Sequence, residues 1–154
     1  MITKQTVLDW LTDHSVATIS TISAENKPQT AVVYTYVDTN YHCYFVTKET
    51  TRKYENLTKN KVISIAWYDK QMLTICELTG EAYVVQAREG VAVAITHLQE
   101  VMMEQKTEYW TPPVGQIEGA QYAVFRVVPD QINYVDYSAA TKLHSKPKRL
   151  EFLP

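Results

Sequence analysis

The stretch Tyr44-Phe45-Val46-Thr47-Lys48-Glu49-Thr50-Thr51-Arg52-Lys53-Tyr54-Glu55-Asn56-Leu57 changes character half-way along. Its aromatic and β-branched beginning reads as a buried strand ending at Thr47. Its polar second half has helical propensity, starts a helix near Thr51 and carries Tyr54 and Leu57 as apolar anchors. The first amides of a helix have no partner inside it, and the helix dipole adds partial positive charge there. Thr47 and Thr51 supply hydroxyl groups at this point, and Arg52 and Lys53 add two full charges in the first turn. Arginine can grip phosphate through two parallel hydrogen bonds, while lysine acts as a mobile point charge. Positive side chains in a first turn oppose the dipole, so helix stability does not account for them, whereas a bound dianion would. Spacing alone leaves a plainer reading open, in which both are solvated charges on a short helix.

The rest of the chain is read outward from this junction. Lys4 to Asp13 is expected as a helix, with Thr3 as N-cap and Val7, Leu8 and Leu11 on one face. Val16–Ile22, Gln29–Val37 and Tyr41–Thr47 are expected as three strands of an antiparallel meander joined by short turns. Beyond the central helix, Val62–Tyr68, Met72–Leu78 and Glu81–Gln86 return to strand. Ala87 to Gln105 reads as the longest helix, from Val91, Ile95, Leu98 and Met102 at near-helical spacing. Thr107 to Gly119 reads as a loop containing Trp110 and Pro112-Pro113; Tyr122–Val128 and Gln131–Tyr137 are two closing strands divided by Pro129-Asp130. Many short strands with few helices predict a mainly β chain folded as an antiparallel barrel or sandwich. No repeat or linker divides it, so residues 1–154 are taken as one domain, with 138–154 a mixed, basic tail that is solvated or covers a partner.

Composition narrows the function classes. With 45% hydrophobic and 21% charged residues in 154, the chain has a globular composition rather than a disordered one. Fifteen basic and 17 acidic side chains give a net charge of -2, which offers no broad surface for a polyanion. Aromatic residues are plentiful, but single-strand nucleic-acid binding needs basic neighbours along a groove, and nucleic acid is not expected as a partner. Cys43 and Cys76 form no CxxC pair and sit in apolar, strand-like runs, which predicts two free buried thiols. The histidines 14, 42, 97 and 144 show no metal-ligand spacing, so no metal is expected. No apolar stretch of signal-peptide length opens the chain, and none approaches the roughly 20 residues that span a bilayer, so a cytoplasmic protein with no membrane partner is expected.

The order of features carries a resemblance. Ala17-Thr18-Ile19-Ser20-Thr21, then Pro28 and an apolar strand, then Phe45-Val46-Thr47, Thr51-Arg52-Lys53, Asn56-Leu57, Asn60 and Val62-Ile63-Ser64, closing on Val127-Val128-Pro129-Asp130-Gln131-Ile132, resembles the pyridoxamine 5'-phosphate oxidase-like flavoproteins, in particular their small general-stress-type members. The resemblance runs from about residue 5 to 137 and implies an antiparallel split β-barrel, a homodimer, and FMN in a cleft between subunits. Carried over residue by residue, it gives Thr47, Thr51, Arg52 and Lys53 the phosphate and ribityl chain. The strand Gln29–Tyr34, with Thr30 and Val32, would line the flavin ring, with backbone groups facing its polar edge. Trp110 is either core packing or a wall over the flavin ring of the other subunit.

Two departures limit what is carried over. True pyridoxamine 5'-phosphate oxidases have an arginine early in the second strand and a lysine near its end; here Gln29-Thr30-Ala31-Val32-Val33-Tyr34-Thr35-Tyr36 has no charge. Their C-terminal substrate ligands are not recognisable either, Lys142-Leu143-His144 being a chance echo. Oxidation of pyridoxamine phosphate is therefore not expected. The expectation is an FMN-dependent oxidoreductase acting by hydride or electron transfer on a small molecule, with no protein acid or base to name. The alternatives are a non-catalytic flavin-binding or stress-related protein, and a deazaflavin- or haem-binding split barrel.

Overall fold

The computed structural model describes residues 1–104, 121–141 and 146–154. In chain order these form α1 (Lys4–Asp13), β1 (Val16–Ile22), β2 (Pro28–Tyr34), β3 (Tyr36–Val37), β4 (Cys43–Lys48), α2 (Arg52–Lys59), β5 (Val62–Asp69), β6 (Thr74–Val84), α3 (Arg88–Glu104), β7 (Tyr122–Asp136), a 3-10 turn (Ser138–Thr141) and β8 (Lys148–Phe152). α1 begins as the sequence predicts: the Thr3 hydroxyl accepts the Thr6 amide at 3.1 Å, and the Thr6 hydroxyl returns the favour to the Thr3 amide at 3.3 Å.

The strands make one antiparallel sheet in the order β2-β1-β5-β6-β7-β4-β3, with β8 added on β7. The two ends of that path, β2 and β3, are consecutive in the chain, with only Thr35 between them. The sheet therefore curls until its edges meet, and the gap is closed by a covalent corner instead of a ladder, which is the split barrel expected from the sequence. The corner is pinned from inside. The Thr35 amide and hydroxyl both donate to the Ser15 carbonyl, at 2.7 and 3.1 Å, and the hydroxyl accepts the indole N–H of fully buried Trp67 at 3.0 Å. Around this set the inward residues of each strand, Ile19, Phe45, Ile65, Leu78, Phe125 and Ile132 among them, fill the interior. Phe45 and Phe125, opposite each other on β4 and β7, stack with centroids 5.4 Å apart.

Four expectations need correction. Gln29–Val37 is not one strand: it breaks at Thr35, and β3 pairs with β4, so the first three strands do not form a simple meander. The two segments Met72–Leu78 and Glu81–Gln86 are the single strand β6, which Gly80 bends without ending. β7 likewise runs straight through Pro129-Asp130. The cause is shared, because Gly80 lies opposite Pro129 where the register shifts, so one bulge absorbs both breakers. The end of the basic tail is not solvated: Lys148–Phe152 is a strand, Phe152 packs edge-on against Tyr41 at 5.3 Å, and the Lys4 ammonium donates to the Leu153 carbonyl at 2.8 Å. The Thr107–Gly119 loop and Lys142-Leu143-His144 lie outside the described residues. No described helix is long and apolar enough to cross a membrane.

The bulge yields a stability test. A Cβ on Gly80 would stand 2.2 Å from the Val128 carbonyl oxygen and 2.8 Å from the Pro129 Cα, both backbone atoms that cannot swing away. Gly80→Ala is expected to cost about 2 kcal/mol or more, lowering Tm by roughly 4–8 °C for a chain of this size. Thermal unfolding at matched protein concentration measures it, and an unchanged Tm would mean that the β6–β7 approach is looser than described.

Candidate functional site

The junction that opened the sequence reading is where β4 leaves the barrel. Thr51 is the N-cap of α2: its hydroxyl oxygen accepts the Tyr54 amide at 3.4 Å and its proton goes to the Lys48 carbonyl at 2.8 Å. The Thr47 hydroxyl is 2.8 Å from the Thr51 hydroxyl and, with the Thr51 proton spent, donates to it. Both threonines thus shape the turn, and their protons are committed inside it. The helix they start is aimed by its buried face. Leu57 enters the core, Tyr54 meets Phe125 edge-on at 5.9 Å, and the buried Asn56 amide donates to the Thr21 hydroxyl at 2.9 Å and to the Gln29 side-chain carbonyl at 3.0 Å. That last pair of bonds ties α2 to the β1–β2 hairpin, where Thr21 and Gln29 are register partners.

Between the helix start and the hairpin lies a cleft of about 270 Å³, lined by Ile19, Thr21, Gln29, Thr30, Ala31, Thr51, Arg52 and Lys53. Of the residues singled out from sequence, the fold brings Thr30, Thr51, Arg52 and Lys53 together here. Thr47 is buried behind the wall, bonded to Thr51. Val32 is 54% exposed on the outer face of β2 and does not line the cleft. Trp110 lies outside the described residues. Sequence reading gave no site role to Asn56 or Thr21, and placed Gln29 only within the strand lining the flavin ring. The signal was present: Asn56 stands one turn after Arg52, and the short Ser23–Pro28 turn sets Thr21 opposite Gln29.

The charges are unbalanced. Arg52 is exposed and Lys53 half-buried, and among the described residues neither pairs with a carboxylate. Burial lowers the Lys53 pKa from its ordinary 10.5. Six residues on, at the last position of α2, Lys59 has the opposite fate, its ammonium 2.7 Å from the Glu55 carboxylate, which raises its pKa. A partly desolvated cation without a counter-ion is a cost to the folded chain that a bound anion removes. The cleft also opens along β2, which hydrogen-bonds only to β1 and so presents backbone groups on its other edge.

The same residues discriminate among cofactors. Haem needs a histidine, cysteine, methionine or tyrosine ligand on its iron, and the described lining of the cleft contains none. No three His, Cys, Asp or Glu side chains among the described residues gather as a metal site. Cys43 and Cys76 are free and buried as expected, and burial pushes the Cys76 thiol up to about 12, so neither serves as a thiolate. His14 lies 2.6 Å from the Trp10 carbonyl and 2.9 Å from the Asp69 carboxylate, and His42 bonds Asp38, which gives both structural work.

The sequence pattern of the pyridoxamine 5'-phosphate oxidase family matches residues 3–136. The chain belongs to that family. No curated protein matches it. Among solved structures, a conserved hypothetical protein from Mycobacterium tuberculosis superposes with a TM-score of 0.76 at 18% identity, over 95% of this chain and 92% of that one. A pyridoxamine 5'-phosphate oxidase-related, FMN-binding protein from Nostoc punctiforme gives 0.66 at 11% identity, over 98% and 97%. A haem-binding protein from Mycobacterium smegmatis gives 0.65 at 15% identity, over 90% of this chain and 53% of that one. Solved proteins that share this fold therefore carry names pointing to more than one ligand chemistry.

The unpaired lysine can be tested without any cofactor chemistry. Carbon-13 NMR of the lysine side chains should find Lys53 titrating below 10.5 and Lys59 above it. Inorganic phosphate should move Lys53 upward, since an anion favours its charged form, and leave Lys59 in place. A Lys53 that titrates with the exposed lysines would remove the argument for a desolvated cation.

Proposed function

We propose that this chain is an FMN-binding flavoprotein and an oxidoreductase, with the FMN phosphate in the α2 cleft. The observation that carries the reading is half-buried, unpaired Lys53 beside Arg52 at the start of α2, in a cleft open to the edge of β2. FMN, when bound, supplies the capacity for hydride or electron transfer. The chain supplies position. The Arg52 fork and the Lys53 ammonium hold the phosphate with the first α2 amides, and the Asn56 bonds to Thr21 and Gln29 fix the angle at which that helix meets the hairpin. The open edge of β2 offers backbone groups to the polar edge of the ring. β2 carries no charge, so recognition of pyridoxamine phosphate by cations on this strand is absent from the proposal. The cytoplasm is the proposed compartment, where two buried cysteines stay reduced.

The working unit proposed is a homodimer. Register places Val32, Thr18 and Ala66 in one outward row across β2, β1 and β5, with Thr30, Ser20 and Ser64 in the next. Val16 and Tyr68 extend this face and are exposed. Six uncharged positions in two adjacent rows, with a valine more than half exposed among them, suit a protein partner better than water. Thr30 belongs both to this face and to the cleft, so a second copy seated here would wall the open side of the cofactor site. An obligate association of this kind buries of order 2,000 Å² or more in total.

Two outcomes follow. Replacing Arg52 and Lys53 together by Ala should weaken FMN by about 100-fold or more, taking roughly 1.5–3 kcal/mol for each charge-assisted contact, while riboflavin, which lacks the phosphate, binds weakly and changes little. Fluorescence titration of both flavins against both proteins measures this; equal losses for the two flavins would displace the phosphate from α2. Val32→Lys should convert the dimer to monomer in sedimentation at micromolar concentration and loosen FMN with it. A variant that stays dimeric would move the interface elsewhere.

A further inference from the structure

A second cavity, of about 410 Å³, lies on the outside of the barrel beneath α3 and shares no lining residue with the α2 cleft. Its volume falls in the range of small-molecule sites. Strand register builds its floor. Tyr36, Tyr44 and Arg126 are successive partners across β3, β4 and β7, and Tyr83 of β6 continues the row outside the lining. Their chain neighbours Phe45 and Phe125 point into the core, so this row points out. α3 crosses above it with Gly90, Val93 and Ala94, and with Ala87 and Val85 just before the helix these leave an apolar roof held away from the sheet. Tyr36 and Tyr44 stand 5.9 Å apart at 34°, and His97 stacks on the Tyr36 ring at 4.4 Å, which fixes its plane.

Three charged side chains line this cavity, the acids Asp38 and Glu89 and the base Arg126. Asp38 is satisfied: its carboxylate accepts the Asn40 and His42 amides at 2.9 Å each and the Tyr44 hydroxyl at 3.2 Å, with His42 Nδ1 also 3.2 Å away. Glu89 sits in the first turn of α3, where the helix dipole favours it. Arg126 forms no ion pair with any described carboxylate. Burial, then Asp38 and Glu100, push the Tyr36 phenol upward, so its hydroxyl remains a donor at neutral pH. An apolar slot with aromatic walls and one planar cationic fork selects for a flat apolar body with a planar anion at one end.

We propose that the α3 pocket binds a small aromatic carboxylate, its ring between the Tyr36–Tyr44 pair and the Gly90–Ala94 face of α3, and its carboxylate on Arg126. The Tyr36 hydroxyl is the second donor. The site is independent of the flavin reading, since the two cavities have no residue in common.

The test is calorimetric titration of the full chain with 2-naphthoate, with its uncharged amide 2-naphthamide, and with inorganic phosphate. The acid is expected to bind at least tenfold more tightly than the amide, because only the acid engages the arginine fork. Arg126→Gln should bring the acid down to the level of the amide and leave the amide unchanged. Val93→Trp, at an exposed position on α3, should fill the mouth and weaken both at least tenfold, with circular dichroism showing each variant folded. The proposal is overturned if acid and amide bind alike, if Arg126→Gln binds the acid as the wild type does, if phosphate displaces naphthoate competitively, or if nothing binds at millimolar concentration. It is equally overturned if the Arg52→Ala, Lys53→Ala double variant loses naphthoate, which would place the ligand in the flavin cleft.

Discussion

The bond from the Trp67 indole to the Thr35 hydroxyl, with the two bonds from Thr35 to the Ser15 carbonyl, is the constraint on which the rest of the molecule depends. It stops one strand and starts another within a single residue. Because β2 ends there, one of its edges stays unpaired and the α2 cleft can open along it. Because β3 begins there, Tyr36 joins the row that floors the α3 pocket. A buried hydrogen bond contributes only about 1 kcal/mol net, but an orphaned buried indole N–H costs more than the bond gains. The corner is therefore specific rather than strong: alternatives that keep Gln29–Val37 straight leave Trp67 and Ser15 without partners.

Both cavities also share an electrostatic arrangement. In a chain of net charge -2 there are acids enough to neutralise every cation locally, as Glu55 does for Lys59. Among the described residues Lys53 and Arg126 have no such partner, and Asp38, which lines the same cavity as Arg126, is spent on backbone amides. Self-neutralisation by a neighbouring side chain would be simpler for stability. An unpaired cation facing a cavity keeps its electrostatic capacity for something that arrives from solution. In the α2 cleft the burial of Lys53 sharpens this, because desolvation raises the cost of the bare charge.

How much of this was legible depended on distance along the chain. The start of α2 could be read because its determinants, Thr51, Arg52, Lys53 and Leu57, lie within two turns, and an amphipathic helix after a buried strand has few alternatives. The break at Thr35 could not, since Gln29–Val37 alternates without a turn residue and the cause is a tryptophan 32 residues away. Pro129 and Gly80 each read as a strand end, which is right for either alone; only their register as partners turns two ends into one bulge. The last strand hid behind its composition, because Lys148 and Arg149 read as a solvated tail while Phe152 supplies the anchor. Sequence reading gave Arg126 no role, and only the pairing of β4, β7 and β6 sets it between Tyr44 and Tyr83.

The division of labour at the proposed flavin cleft bears on how a family can keep a fold at 11–18% identity. A strand edge presents the same amides and carbonyls whatever its side chains are, so a ring held by the edge of β2 places little demand on Gln29–Tyr34. A phosphate makes the opposite demand, because it needs cations at a helix start, and those are side chains. Sequence drift should then be freest on β2 and least free at Arg52, Lys53 and the Asn56 contact that aims them. The uncharged β2 of this chain fits that division. The absence of charge on β2 leaves its backbone edge as the strand's main offer to a ligand. On the proposed reading, the choice of what such a protein acts on then falls to side chains away from that edge.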